Sequence, residues 1–334
     1  MSAAESPAHA APHPYVISPG PHVRVEESTA KIMWWVNGAL APAAIWGVVV
    51  FGPNALAVVL AAIAGALAAE WAAARALKRR MTIADGSAVC TGLLLAMTLP
   101  PAVPWWTAAL GSIFAILFGK AIFGGLGYNL FNPALIGRAF MLATFPVAMT
   151  AGWIAPQPWF AVPVDAITTA TPLAVLREQG LPQALQLAAS PGGPYAGLAL
   201  GLRPGSIGEV SVLLIALGAG ALLARRIITL TIPLSIFSGV ALTTAFSGAL
   251  TLHLLSGGLW PGAFFMATDY VTSPVTRNGK IVFGLIIGAL TGIIRLYGGY
   301  PEGICYAILL ANTLVPALNT WFRPRRTMLA GTPS

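Results

Sequence analysis

An all-α, polytopic membrane protein is the fold class predicted by a chain of 334 residues in which 57% are apolar and only 8% are charged. Soluble domains carry about 25% charged residues, and 18 Lys/Arg with 10 Asp/Glu cannot solvate a globule of this size. A mean hydropathy of +0.79 agrees, and the apolar runs are continuous rather than alternating, which excludes an outer-membrane β-barrel.

At ~20 residues per span, the length holds about ten transmembrane helices. The apolar segments, with soft edges, are 32–51, 55–77, 86–100, 105–123, 133–150, 207–224, 227–247, 251–270, 281–297 and 303–322. Several are short or carry Gly and Pro, so broken helices lining an enclosed site are expected. Residues 1–23 have no basic stretch before an apolar run and read as a tail rather than a cleaved signal. The domain plan is a cytoplasmic tail (1–31), a first transmembrane repeat (32–150), an external loop (151–206), a second transmembrane repeat (207–322) and a cytoplasmic tail (323–334). The two halves echo each other. Thr91–Pro101 is followed by a span, Gly124–Gly127 and Asn132-Pro133, and Phe264–Pro274 by a span, Gly298–Pro301, Asn312 and Pro316. Five spans per half make this an inverted five-plus-five repeat.

Charge sets the orientation. With the N-terminus cytoplasmic, fifteen of the 18 Lys and Arg fall inside, leaving Arg177, Arg203 and Arg295 outside. The basic residues form short clusters between apolar runs, a membrane-orienting pattern rather than a nucleic-acid face. Cys90 and Cys305 are too few for an iron–sulfur cluster, and with His9, His13 and His22 in the tail and His253 alone in the bundle, no haem or metal ligand set exists.

Three polar constellations carry the chemistry. Asp165, Thr168, Thr169 and Thr171, closed by Pro172, form a hydroxyl-rich turn on the external loop. Thr171 is placed to N-cap a helix opened by Pro172, with its hydroxyl exposed. Asn129 and Asn132 lie in a glycine-rich connection, where they either cap a helix or read a polar ligand edge. Asp269 follows Thr268 on a broken span, where an acid is costly. Glu70, Asp85, Asp269 and Glu302 are candidate ion contacts, with capping or helix pairing the plainer role for each.

In their order along the chain, these motifs, with Thr91–Ala96, Gly124–Gly137, Gly262–Asp269, Ile294–Gly303 and Leu309–Pro316, resemble the D subunit of Rnf complexes. That family is shared with the B subunit of the sodium-pumping NADH:quinone reductase. The resemblance implies a multi-pass subunit of the bacterial cell inner membrane, inactive alone, in a complex coupling electron transfer between ferredoxin and NAD to ion translocation. It implies FMN esterified through its phosphate to Thr171, within a pattern matched by Asp165, Thr168 and Ala170, and attached by a separate flavin transferase. Asn129 and Asn132 are expected at a second, non-covalent flavin such as riboflavin. Thr169 stands where a small residue is common, and Tyr270 where proline is frequent. The stretch Asn132–Phe140 is closer to the quinone-reductase subunit. That subunit and a redox-free inverted-repeat channel or solute transporter are the alternatives.

Overall fold

The computed structural model describes residues 27–156, 169–189, 192–209, 211–299 and 303–323, and its described elements are all helical. In order they are α1 (Thr29–Phe51), α2 (Pro53–Ala76), α3 (Ser87–Met97), α4 (Trp105–Ile116), α5 (Pro133–Thr144), α6 (Pro146–Ala151), α7 (Pro172–Gln179), α8 (Leu181–Leu187), α9 (Pro194–Leu200), α10 (Val212–Ala224), α11 (Thr231–Thr244), α12 (Leu250–Leu255), α13 (Leu259–Pro261), α14 (Arg277–Tyr297) and α15 (Ile304–Trp321). Two π-helical turns, Leu117–Ala121 and Gly262–Met266, extend α4 and α13.

The ten-span, inverted five-plus-five plan does not hold. Among the described residues, four helices are long and apolar enough to cross a membrane: α1, α2, α14 and α15. Five shorter apolar helical stretches run Ser87–Met97, Trp105–Ala121, Pro133–Thr144, Val212–Ala224 and Thr231–Ser247. An 11-residue helix rises only about 16 Å, half of a ~30 Å hydrocarbon core.

The breaks have local causes. Apolar segment 133–150 divides at Phe145 because Pro146 opens a new helix. Segment 86–100 stops at Met97, ahead of Pro100 and Pro101. Segment 251–270 becomes α12, α13 and a π-helical turn. No inverted repeat is evident, and the proposed counterparts differ locally. Asn132-Pro133 starts a helix, whereas Asn312 and Pro316 lie inside the continuous α15.

The core is closed by small residues. Helices α11 and α14 run side by side in the same direction: Gly284 packs on Ile232, Gly288 on Ile236 and Gly292 on Thr243. A Cβ on Gly239 would lie 2.7 Å from the Leu285 carbonyl oxygen, so both backbones meet at glycine.

Gly288→Ala forces these backbones apart and is expected to destabilise the fold by about 1–3 kcal/mol. Gly220→Ala, at a position with nothing within 4 Å, should leave it unchanged. Thermal unfolding of both variants in detergent checks the pair; equal midpoints would refute glycine-mediated contact.

Candidate functional site

Thr171 is fixed by the helix it opens. Its backbone is extended (φ −72°, ψ 156°), Pro172 occupies the first helical position, and its hydroxyl accepts from the Ala174 N–H at 3.3 Å. Proline suits that position because it has no N–H to leave unpaired. The Thr169 N–H donates to the Trp153 carbonyl at 2.9 Å, which ties the approach to α7 back onto the end of the first half. The expected N-cap is therefore present, but the side chain is not exposed: Thr171 is 4% accessible. It lines a cavity of about 330 Å³ together with Arg138, Leu142, Met149, Trp153 and Tyr306. Arg138, on α5, is buried and donates to the Thr98 carbonyl at 2.6 Å. Asp165 and Thr168 lie outside the described residues, as does Glu302.

Asn129 and Asn132 meet at a second, smaller cavity of about 100 Å³, whose wall also includes Asp269, Lys120 and Cys90. Asn132 caps α5 by accepting from the Ala134 N–H at 3.0 Å and donates across the molecule to the Met266 carbonyl at 3.2 Å. Asn129 donates to the Phe131 carbonyl at 3.1 Å. Asp269 accepts from the Val271 N–H (3.4 Å) and the Thr272 hydroxyl (3.1 Å). The structure thus joins Asn129, Asn132 and Asp269, three residues that stand in separate motifs along the sequence.

Beside this cavity is an ion pair that sequence reasoning did not assemble. Lys120, on the π-helical turn after α4, places its Nζ 2.7 Å from both carboxylate oxygens of Glu70 on α2 and 2.6 Å from the Ser87 hydroxyl. Both side chains are almost fully buried, and Thr82 donates its hydroxyl to the same carboxylate. Lys120 lines both the 100 Å³ cavity and another of about 220 Å³, whose wall also includes Glu70, Arg79 and Arg80. The available signal was one acid and one lysine, each inside an apolar run, 50 residues apart. Asp85 has a capping role, accepting from the Ser87 N–H at 2.8 Å.

Residues 16–328 match the family model described as the NQR2, RnfD, RnfE family. The chain is 46% identical over 318 residues (93% of this chain, 95% of the relative) to the D subunit of the proton-translocating ferredoxin:NAD(+) oxidoreductase complex of Clostridium ljungdahlii. It is 43% identical (92% and 94% covered) to the D subunit of the Na(+)-translocating ferredoxin:NAD(+) oxidoreductase complex of Acetobacterium woodii. Against the D subunit of the ion-translocating oxidoreductase complex of Stutzerimonas stutzeri, identity is 40%, with 90% and 92% covered.

Removing one member of the buried pair strands the other. Lys120→Met is expected to cost about 3–5 kcal/mol, and the double variant Glu70→Gln/Lys120→Met should recover part of that loss. Thermal unfolding of single and double variants measures the coupling, and additive losses would show that the pair does not act as a unit.

Proposed function

We propose a flavin-carrying electron-transfer role for this chain, which belongs to the NQR2, RnfD, RnfE family. It is a multi-pass, membrane-embedded electron-transport subunit of an ion-translocating oxidoreductase and works only as part of that complex. The Rnf-type assignment, with electrons passing between ferredoxin and NAD and ions moving across the membrane, is supported by the Clostridium ljungdahlii and Acetobacterium woodii relatives, both D subunits. The quinone-reductase alternative shares the family model and has, beyond it, the likeness of Asn132–Phe140, and the channel alternative rested on the inverted repeat.

The observation that carries the flavin reading is the place of the Thr171 hydroxyl: at a helix start and in the wall of a 330 Å³ cavity. That volume falls within the roughly 300–1,000 Å³ of small-molecule sites. A phosphoester on this hydroxyl would lie at the positive end of α7. Arg138 supplies a cation and Glu178 a carboxylate to the same cavity, Trp153 and Tyr306 supply aromatic surface, and Leu142 and Met149 supply apolar wall. When bound, FMN supplies the one- and two-electron chemistry, while the chain supplies position, electrostatics and isolation from lipid. Attachment calls for a flavin transferase as a maturation partner. A second flavin beside Asn129 and Asn132 would need the 100 Å³ cavity to widen.

Both termini are assigned to the cytoplasm. Cavity residues Ile32, Lys120, Ile227 and Tyr270 share one end of the bundle. Contacts of Trp34 with Ala84 and of Val275 with Asn319 bring the basic ends of α2 and α15 to helix ends near it. A membrane-impermeant protease added to spheroplasts, whose inner membrane is intact and exposed, should spare tags at either terminus; cleavage of either tag reverses the assignment.

With the transferase co-expressed, this subunit should show a fluorescent band under ultraviolet light after denaturing electrophoresis. Thr171→Ala should abolish the band, and because it also removes an N-cap, it should cost about 1 kcal/mol, too little to deplete the subunit from the membrane. Thr171→Ser should retain at least part of the fluorescence and Thr169→Ala all of it. A band surviving Thr171→Ala would move the acceptor to Thr168 or Thr169.

A further inference from the structure

On the far side of α7 from Thr171 lies a cavity of about 220 Å³ with no part in the flavin reading. Its wall includes Arg177, His253, Arg295, Ser247, Leu173 and Leu176, and no carboxylate lines it among the described residues. Arg295 is 4% and His253 3% accessible. The Arg295 guanidinium is held by the His253 and Ser256 carbonyls, the latter at 3.0 Å. The backbone at Gly257 (φ +74°) passes so close that a Cβ there would sit 2.6 Å from Arg295 Nη2. Arg177 donates to the Gly298 carbonyl. The buried His253 Nδ1 has no hydrogen-bond partner among the described residues. Two guanidinium groups and an unsatisfied imidazole nitrogen therefore share one small concavity.

The depth of the cavity identifies the kind of ligand. Arg295 and Leu296 are in the last turn of α14, a helix long enough to cross the membrane, so the cavity opens at headgroup level. Phe246 and Tyr297, next to lining residues Ser247 and Leu296, are 99% and 80% accessible, as interfacial aromatics are. Four residues earlier on the same helical stretches, Leu242 and Ile293 are also exposed, which puts an apolar track one turn deeper, beneath the aromatics.

We propose that this cavity binds the phosphate of an anionic phospholipid. Arg177 and Arg295 face the phosphate, Phe246 and Tyr297 flank the glycerol region, and the acyl chains run down over Leu242 and Ile293. Guanidinium groups suit a phosphate because their forked donors match its oxygens.

The test uses the complex purified in detergent and stripped of lipid, titrated with dioleoyl-phosphatidylglycerol, dioleoyl-phosphatidylcholine or inorganic phosphate, with thermal midpoint and native mass spectrometry as readouts. Phosphatidylglycerol should be retained and raise the midpoint, with half-saturation about tenfold below that of phosphatidylcholine. Inorganic phosphate alone should have little effect. Arg177→Gln, and independently Ser247→Glu, which brings a carboxylate to the cavity wall, should weaken phosphatidylglycerol about tenfold. Arg177→Lys, which keeps the charge but not the fork, should fall between wild type and Arg177→Gln, and so separates loss of charge from loosening of α7. Equal response to the two lipids, variants that bind as wild type, or inorganic phosphate matching phosphatidylglycerol would each overturn the lipid site.

Discussion

Short helices in a membrane end in carbonyl groups that lipid cannot satisfy, and the rest of this structure depends on how those groups are paired. The same solution recurs around the bundle: a polar side chain from a distant element reaches the broken end. Arg138 donates to the carbonyl of Thr98 just past α3, and Asn132 to that of Met266 in the π-helical turn. Arg203 reaches Leu255 at the end of α12, while Arg295 reaches His253 and Ser256 there. Asn54 donates to the Pro101 carbonyl beyond α3, and Asn37 to that of Gly86 at the start of α3, which also accepts from the Cys90 N–H. Except for Asn54, which is exposed, these side chains are buried, and several join segments 40 or more residues apart.

The cavities arise where these repairs are made. An intact helix presents side chains but no free backbone, whereas a break opens space and brings charged or amide groups with it. The Thr171 cavity borders α5, which ends at the Phe145–Pro146 break, and it includes Arg138. The Asn129 cavity borders both π-helical turns through Lys120 and Phe265. Polar groups that keep the backbone satisfied thus also equip the cavities, which explains why so few charged residues yield several polar sites in so apolar a chain.

Composition alone made the helical membrane character legible, because charge scarcity and continuous apolar runs are averages over many residues. The Thr171 cap was legible for the opposite reason: Thr before Pro at a helix start is a local signal. What failed lay between these scales. An apolar run such as 251–270 registers as one span whether it is a single helix or α12, α13 and a π-helical turn, since hydropathy does not report backbone continuity. Asn312 and Pro316 resemble Asn132-Pro133 in composition but lie within a helix whose interior tolerates the proline. The burial of Thr171 and the pairing of Glu70 with Lys120 were hidden because both depend on packing between distant segments, which one sequence does not encode in spacing.

The choice of cation at each buried position follows from what it must satisfy. Lys120 meets a carboxylate and a hydroxyl, and the three N–H donors of an ammonium match the two Glu70 oxygens and Ser87. Arg295 instead meets the His253 carbonyl with Nη1 and the Ser256 carbonyl with Nη2, a broader target that suits the wide, planar fork of a guanidinium, while Arg203 Nη2 reaches the Glu209 and Leu255 carbonyls. A lysine in place of Arg295 would have one nitrogen where the fork offers two and, as a more strongly hydrated charge, would cost more to bury. The buried cations are therefore not interchangeable. Each is matched to the geometry of its acceptors, and for the arginines those acceptors include helix-end carbonyls left open because the segment does not continue as a helix.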